Sequence, residues 1–350
     1  HAHYETVLGG YLGVDVFFVL SGYLITRVLL RAPGRAAYRD FLVRRAVRLV
    51  PALMGALAAV VFVVLLLGST AERSRALACT GAAGGYLMNL PFAEALNCGA
   101  MWHVTWSLAA EQQFYLLWPW VLAALVAAGS RWTSSVWLPT TLCLSLYGLS
   151  VTWQLILRSA DGVDSARVLF MPDGRSLVLL LGCALALALH GPGRPLRTLR
   201  RTGLRDGLCL LAVAALVGMF GWTQAGTSHT ALLALVVTGL ATAVLIYCLV
   251  DAPASSRAAR LFGARWVAYV GRISYGLYLW HEVAYRLAEA VAPRGSLTAE
   301  LLRFSLALVF AAASFTFVET RAQQWWQRRE RMRRPAPVAS RTPHPERIAA

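Results

Sequence analysis

Apolar stretches of roughly twenty residues recur from one end of this chain to the other, and no other feature limits its fold as tightly. They fall at about 9–30, 46–68, 107–128, 136–157, 175–190, 207–223, 230–250, 268–291 and 299–319. A helix of about 20 residues spans the ~30 Å hydrocarbon layer of a bilayer. In that layer every backbone N–H and C=O must find its partner within the protein, so such segments become helices. The expectation is therefore an all-α, polytopic transmembrane helix bundle with nine spans, the one at 175–190 being short. Composition agrees: 58% of the 350 residues are hydrophobic and 14% are charged. A soluble chain would carry about 45–50% apolar and about 25% charged residues.

Charge supplies the orientation. Net charge is +16, and all 33 basic residues are arginine. They are concentrated in alternate connections: Arg31, Arg35, Arg39, Arg44, Arg45 and Arg48; then Arg131; five in 194–205; three in 257–265; and eight from Arg321 to Arg347. The intervening connections hold only Arg73, Arg75, Arg158, Arg167 and Arg294. The positive-inside rule then places 31–48 and the C-terminus in the cytosol of a multi-pass inner-membrane protein. Because the arginines lie between apolar runs and form no patch or stripe, nucleic acid is not expected as a partner. Without lysine the chain has neither a Walker-type phosphate loop nor a Schiff-base nucleophile.

The chain opens at His1, which this topology puts outside. An even total of ten spans would follow if one more helix preceded it. Residues 1–327 read as the membrane domain, and 328–350, rich in arginine and proline, as a disordered basic cytosolic tail. Cys143, Cys183, Cys209 and Cys248 lie within spans. Cys79 and Cys98 share the outer connection 69–106, where an oxidising compartment would let them pair if their Cα atoms approach closely enough.

Ionisable groups inside or beside spans are costly to keep and mark functional candidates. Asp15 is the only charge in Gly9–Gly22; it reads either as a helix N-terminal cap or as a site residue, with the neighbouring glycines allowing close helix packing. Arg44, Arg45 and Arg48 follow, with Arg48 one helical turn from each of the other two. That spacing suits a pyrophosphate or phosphomonoester gripped by guanidinium forks, or a plain cytosolic anchor. His103, Ser107 and Glu111 recur every four residues, which puts them on one helical face among Trp102, Trp106 and Tyr115. A carboxylate able to orient a histidine serves general-base chemistry. The alternative is an aromatic belt in which Glu111 pairs with an arginine. His281 and Glu282 sit within the span 268–291, but the second histidine of a zinc-protease motif would fall at Tyr285. No other spacing suggests a metal site, and there is no G-x-S-x-G elbow.

Together these segments resemble the acyltransferase-3 family of membrane O-acyltransferases. The resemblance is carried by Gly10–Phe18 continuing through Ser21–Thr26, and by Arg45–Pro51. It extends to Thr105–Leu108 with Glu111 and Gln113–Leu116, and to Ile273–Tyr275 running on to Trp280–His281. It implies a ten-helix fold in a stand-alone form whose first helix is truncated. It also implies transfer of an acyl group, acetyl in the first instance, from cytosolic acyl-CoA to a hydroxyl of a carbohydrate or glycosylated acceptor of the envelope. The family's essential histidine corresponds to His1, with His3 as second choice, and its arginine pair to Arg45 and Arg48.

On this reading His1 takes the acceptor's proton, directly or through an acyl-histidine, while Glu111, His103 or Asp15 orients it. Arg45, Arg48 and Arg44 hold the CoA phosphates from the cytosol. Trp106, Ser107, Tyr115 and His281 line the acceptor cleft toward the outside. No cofactor is permanently bound; acyl-CoA is a co-substrate and the bilayer a partner. The rival is a secondary transporter or flippase of a glycan or glycolipid precursor, using the same charges as a path.

Overall fold

A computed structural model describes residues 10–31, 34–132, 137–159, 178–190, 201–222, 228–250, 252–293 and 295–333. These residues are helical or connecting, with no strand among them. The first helices are α1 (Gly13–Arg31), entered through a 3-10 turn at Gly10–Leu12, and α2 (Arg35–Leu67). The connection that follows holds α3 (Thr70–Gly84), α4 (Pro91–Ala95) and α5 (Ala100–His103). Next come α6 (Trp106–Trp132), α7 (Trp137–Ser159), α8 (Leu179–Ala188), α9 (Thr202–Trp222) and α10 (Ser228–Leu249). A short α11 (Arg257–Phe262) leads into α12 (Arg265–Val291) and α13 (Leu297–Ser314). A π-helical turn at Phe315–Glu319 then passes into α14 (Thr320–Arg333), so helix continues beyond residue 327.

Among the described residues, six stretches are long and apolar enough to cross a membrane: Gly10–Arg31, Arg35–Leu67, Trp137–Leu157, Thr202–Trp222, Leu232–Leu249 and Leu297–Met332. The expected count of nine is not reached. Two of the other three, α6 and α12, are 27 residues each and carry polar and aromatic side chains among their apolar ones. Those same side chains build the site described below. The third, α8, has only 10 residues and all of them are buried. It packs against α1, α7 and α10. Outward faces are greasy: Leu210 on α9 is 72% exposed and Phe304 on α13 is 76% exposed. Apolar faces this broad suit contact with acyl chains.

The α1–α8 crossing depends on two glycines. A Cβ on Gly22 would stand 2.0 Å from the Leu179 carbonyl oxygen, and one on Gly182 would stand 1.9 Å from that of Val19. No side chain fits either place, so backbone rests on backbone. Thr26 Oγ1 and Cys183 Sγ both donate to the Gly22 carbonyl, at 2.8 and 3.4 Å.

The connection between α2 and α6 is folded and packed. Ser69 and Glu72 form a reciprocal capping box that starts α3. The helix then runs back along α2, bringing Gly84 beside Met54 and Leu57. Cys79 and Cys98 are joined in a disulfide with Cα atoms 5.8 Å apart. Trp102 Nε1 donates to Thr80 Oγ1 at 3.0 Å. Glu72 lies 3.6 Å from Arg286 of α12, which ties the start of α3 to a second helix.

Candidate active site

Three helices converge on one carboxylate. Glu111 Oε1, on the second turn of α6, accepts from Arg45 Nη2 of α2 at 2.5 Å, from Ser21 Oγ of α1, and from the Tyr115 hydroxyl one turn further along α6. The Arg45 guanidinium lies over the Tyr115 ring, 4.2 Å from its centroid. That ring is buried, meets Phe41 edge-on at 5.5 Å, and has its backbone carbonyl held by the Tyr38 hydroxyl at 3.1 Å. A largely covered charge needs a partner, and the two ions supply one another. The pair's side chains are 23% and 12% exposed. Arg45 Nε is buried and meets no acceptor among the described residues.

Sequence reasoning set Arg45 on the cytosolic side and Glu111 toward the outside; the structure joins them in an ion pair. The reason lies in α2. It begins at Arg35, well before the apolar run, and its 33 residues extend about 50 Å. Arg45 is therefore about 15 Å along the helix rather than at its end. The reading in which Glu111 pairs with an arginine holds, and the partner is itself a candidate site residue.

His103, Ser107 and Glu111 do not share one continuous helical face. The chain breaks at Val104–Thr105, between α5 and α6, where Thr105 Oγ1 bonds back to the Trp102 carbonyl at 2.8 Å. Ser107 Oγ faces the Tyr278 hydroxyl of α12 at 2.6 Å, and that hydroxyl also lies 2.6 Å from the Val104 carbonyl. His281 Nδ1 bonds the Tyr278 carbonyl at 2.7 Å, with Nε2 3.5 Å from Glu282. Glu282 also acts on His103, yet burial dominates there and pulls the His103 imidazole below its ordinary value of 6.5, keeping it neutral. Ser107, His281 and His103 thus gather around the middle of α12, with Ser107 one turn of α6 from Glu111. Trp106 is buried edge-on against Phe18, ring centroids 6.1 Å apart.

Asp15 lies in the first turn of α1 and is fully buried, where the helix dipole favours a carboxylate. Its charge acts on the Tyr147 phenol of α7. Arg44 and Arg48 are exposed, while Arg45 turns inward. His1 and His3 lie outside the described residues.

Sequence reasoning missed several members. Ser21 lies within a family motif but has no charge to mark it. Tyr275 donates to the Leu49 carbonyl at 3.0 Å and lies in the field of Glu111, Arg45 and Glu319. Glu319 closes the π-turn, is fully buried, and neither of its oxygens meets a hydrogen-bond donor among the described residues; Arg48 is the charge acting on it. π-Turns often occur at functional positions. The side-chain amides of Asn89 and Gln113 exchange two hydrogen bonds of 2.9 Å, and Gln113 also donates to the Tyr86 carbonyl at 3.1 Å, docking the α2–α6 connection onto α6. Among the described residues no three His, Cys, Asp or Glu side chains are grouped to hold a metal ion.

A bundle of apolar helices enclosing a buried arginine–glutamate centre defines a multi-pass membrane protein with a polar site inside it. The chain belongs to the acyltransferase-3 family: the profile described as an acyltransferase domain matches residues 1–318. It is 29% identical over 343 residues to the peptidoglycan O-acetyltransferase OatA of Listeria monocytogenes, covering 91% of this chain and 52% of that protein. It is 30% identical over 340 residues to the putative peptidoglycan O-acetyltransferase YrhL of Bacillus subtilis, covering 91% and 51% respectively. A putative O-acetyltransferase of Staphylococcus aureus, SACOL0978, is 29% identical over 351 residues. The chain spans about half the length of these relatives. No solved structure matches.

Proposed function

We propose that this chain is an inner-membrane O-acyltransferase domain that moves an acetyl group from cytosolic acetyl-CoA to a carbohydrate hydroxyl outside, with the glycan of peptidoglycan as the first acceptor to test. The observation that carries this reading is the Ser21–Arg45–Glu111–Tyr115 centre, which unites residues from three separate family segments at one buried point. The names of the relatives support acetyl as the group and peptidoglycan as the acceptor class. The arginine distribution supports a cytosolic donor and a cytosolic C-terminus.

In the proposed mechanism exposed Arg44 and Arg48 grip the phosphates of acyl-CoA, and inward-facing Arg45 meets the thioester. His1 removes the acceptor's hydroxyl proton and the oxygen attacks the thioester carbonyl. The C–S bond then breaks, and CoA leaves as a thiolate that takes up a proton. Glu111 fixes Arg45 through a charge-assisted bond and holds Ser21 and Tyr115 in register. Asp15 and the neutral His103 set the field around the reacting groups, and Trp106, Ser107, Tyr115 and His281 wall the acceptor side.

A charge-assisted hydrogen bond contributes about 1.5–3 kcal/mol, which is about 10- to 150-fold in affinity. Arg48→Ala and Arg44→Ala are therefore expected to raise KM for acetyl-CoA at least about tenfold with little change in kcat, read as CoA release by the full-length protein in proteoliposomes. An unchanged KM in the double variant would remove the donor half of the mechanism.

A further inference from the structure

A small cavity opens beside Arg45, lined by Arg45, Ala46, Leu49, Val50, Tyr86 and Gln112, with a volume of about 50 Å³. We propose that it is the acyl pocket, and that Tyr86, brought in by the α2–α6 connection, limits the transferred group to two carbons. The inference rests on the acyl-CoA reading above and names the acyl group that reading would accept.

Size comes first. One water needs about 10–15 Å³ of such space, so this cavity holds about three to five groups of that size. An acetyl group has three: carbonyl carbon, oxygen and methyl. A butyryl group adds two methylenes, which makes five and takes the space to its upper bound. Chemistry agrees with size. Ala46, Leu49 and Val50 give a mostly apolar lining suited to a methyl, and Arg45 and Gln112 border the same space. Arg45 Nε–H is buried and meets no acceptor among the described residues, although the other end of the same guanidinium is held by Glu111. A donor in that state is satisfied by a carbonyl oxygen beside it, and the thioester brings one.

Tyr86 carries a separate sign. Its φ is 58°, in the left-handed region, which a bulky residue rarely adopts and which costs about 1–3 kcal/mol. The conformation persists because the chain around it is over-determined. Gln113 holds the Tyr86 carbonyl, Asn89 holds Gln113 twice, and the Cys79–Cys98 disulfide encloses the segment. Held in this way, Tyr86 lines the cavity, and its phenol is largely buried in the field of Glu111 and Arg45.

Full-length wild type, Tyr86→Ala and Leu49→Ala in proteoliposomes would be given acetyl-, propionyl- and butyryl-CoA, with kcat/KM read from CoA release. Each added methylene against a closed pocket is expected to cost about tenfold or more in wild type. Either variant is expected to raise the butyryl-to-acetyl ratio at least about tenfold. A ratio unchanged in Leu49→Ala and in Tyr86→Ala, with acetyl turnover persisting, would overturn the pocket and leave the donor reading intact. A lower melting temperature for Tyr86→Ala at an unchanged ratio in both variants would make Tyr86 a structural clamp only, which also overturns it. No CoA release by wild type from any of the three donors would remove the donor reading itself, and the pocket with it.

Discussion

Glu111 illustrates how a single buried charge organises its surroundings. It takes donors from α1, α2 and α6 on one oxygen, so its removal leaves the Arg45 cation without its counter-charge. Breaking a buried pair from one side typically costs about 3–5 kcal/mol, and the partial exposure of this pair favours the lower end. Glu111→Ala is expected to lower unfolding stability in detergent by about 3 kcal/mol and to abolish CoA release. Glu111→Gln keeps an acceptor for Ser21 and Tyr115, so it is expected to fold better while remaining inactive. The double change Arg45→Met with Glu111→Leu replaces the ions by apolar groups and should recover most of the stability but none of the activity. Recovery of activity by that apolar pair would show that the centre serves packing alone.

Among the elements, the α1–α8 crossing is the least tolerant. Overpacking normally costs about 1–3 kcal/mol, but at Gly182 the obstacle is a backbone carbonyl that no rotamer change can clear. Gly182→Ala should separate the two helices and reach or exceed the upper end of that range, measured as the melting temperature in detergent. Gly271→Ala is a suitable control, because nothing stands within 4 Å of a Cβ at that position. The run Gly9–Gly22 already suggested close packing around glycine, and Gly22 proves to be such a contact. The partner glycine was not legible, since nothing in an apolar run says which helix will face it.

The same limit explains the rest. Apolar periodicity marks where helices lie, and each expected span overlaps a described helix. It does not reveal that the helix of α2 extends back as far as Arg35, about three turns before the apolar run begins at 46. For that reason Arg45 and Glu111 were set on opposite sides. Four-residue spacing suggested one face for His103, Ser107 and Glu111, but a two-residue break at Val104–Thr105 outweighed it. The α2–α6 connection was the least legible of all. Its disulfide, its amide pair and the positive φ of Tyr86 depend on contacts distant in sequence, and only the cysteines gave a signal in advance.

Taken as one molecule, the chain encloses polar chemistry in an apolar bundle. α1, α2, α6 and α12 contribute the charged and phenolic groups, while α9 and α13 turn greasy faces outward. Burial strengthens every charge interaction at the centre, because low dielectric screens it less than water would. In the proposed reaction the same enclosure would keep water from competing with a sugar hydroxyl for the thioester. A transporter built from these residues would move its solute intact; an acyltransferase makes a new ester. The deciding experiment supplies acetyl-labelled acetyl-CoA to the full-length protein in proteoliposomes together with a peptidoglycan-derived glycan, and follows the label. Label appearing on the glycan as an alkali-labile ester, lost in His1→Ala and in Glu111→Gln, is the predicted result. No ester and no CoA release, with glycan or glycolipid crossing the bilayer instead, would contradict it.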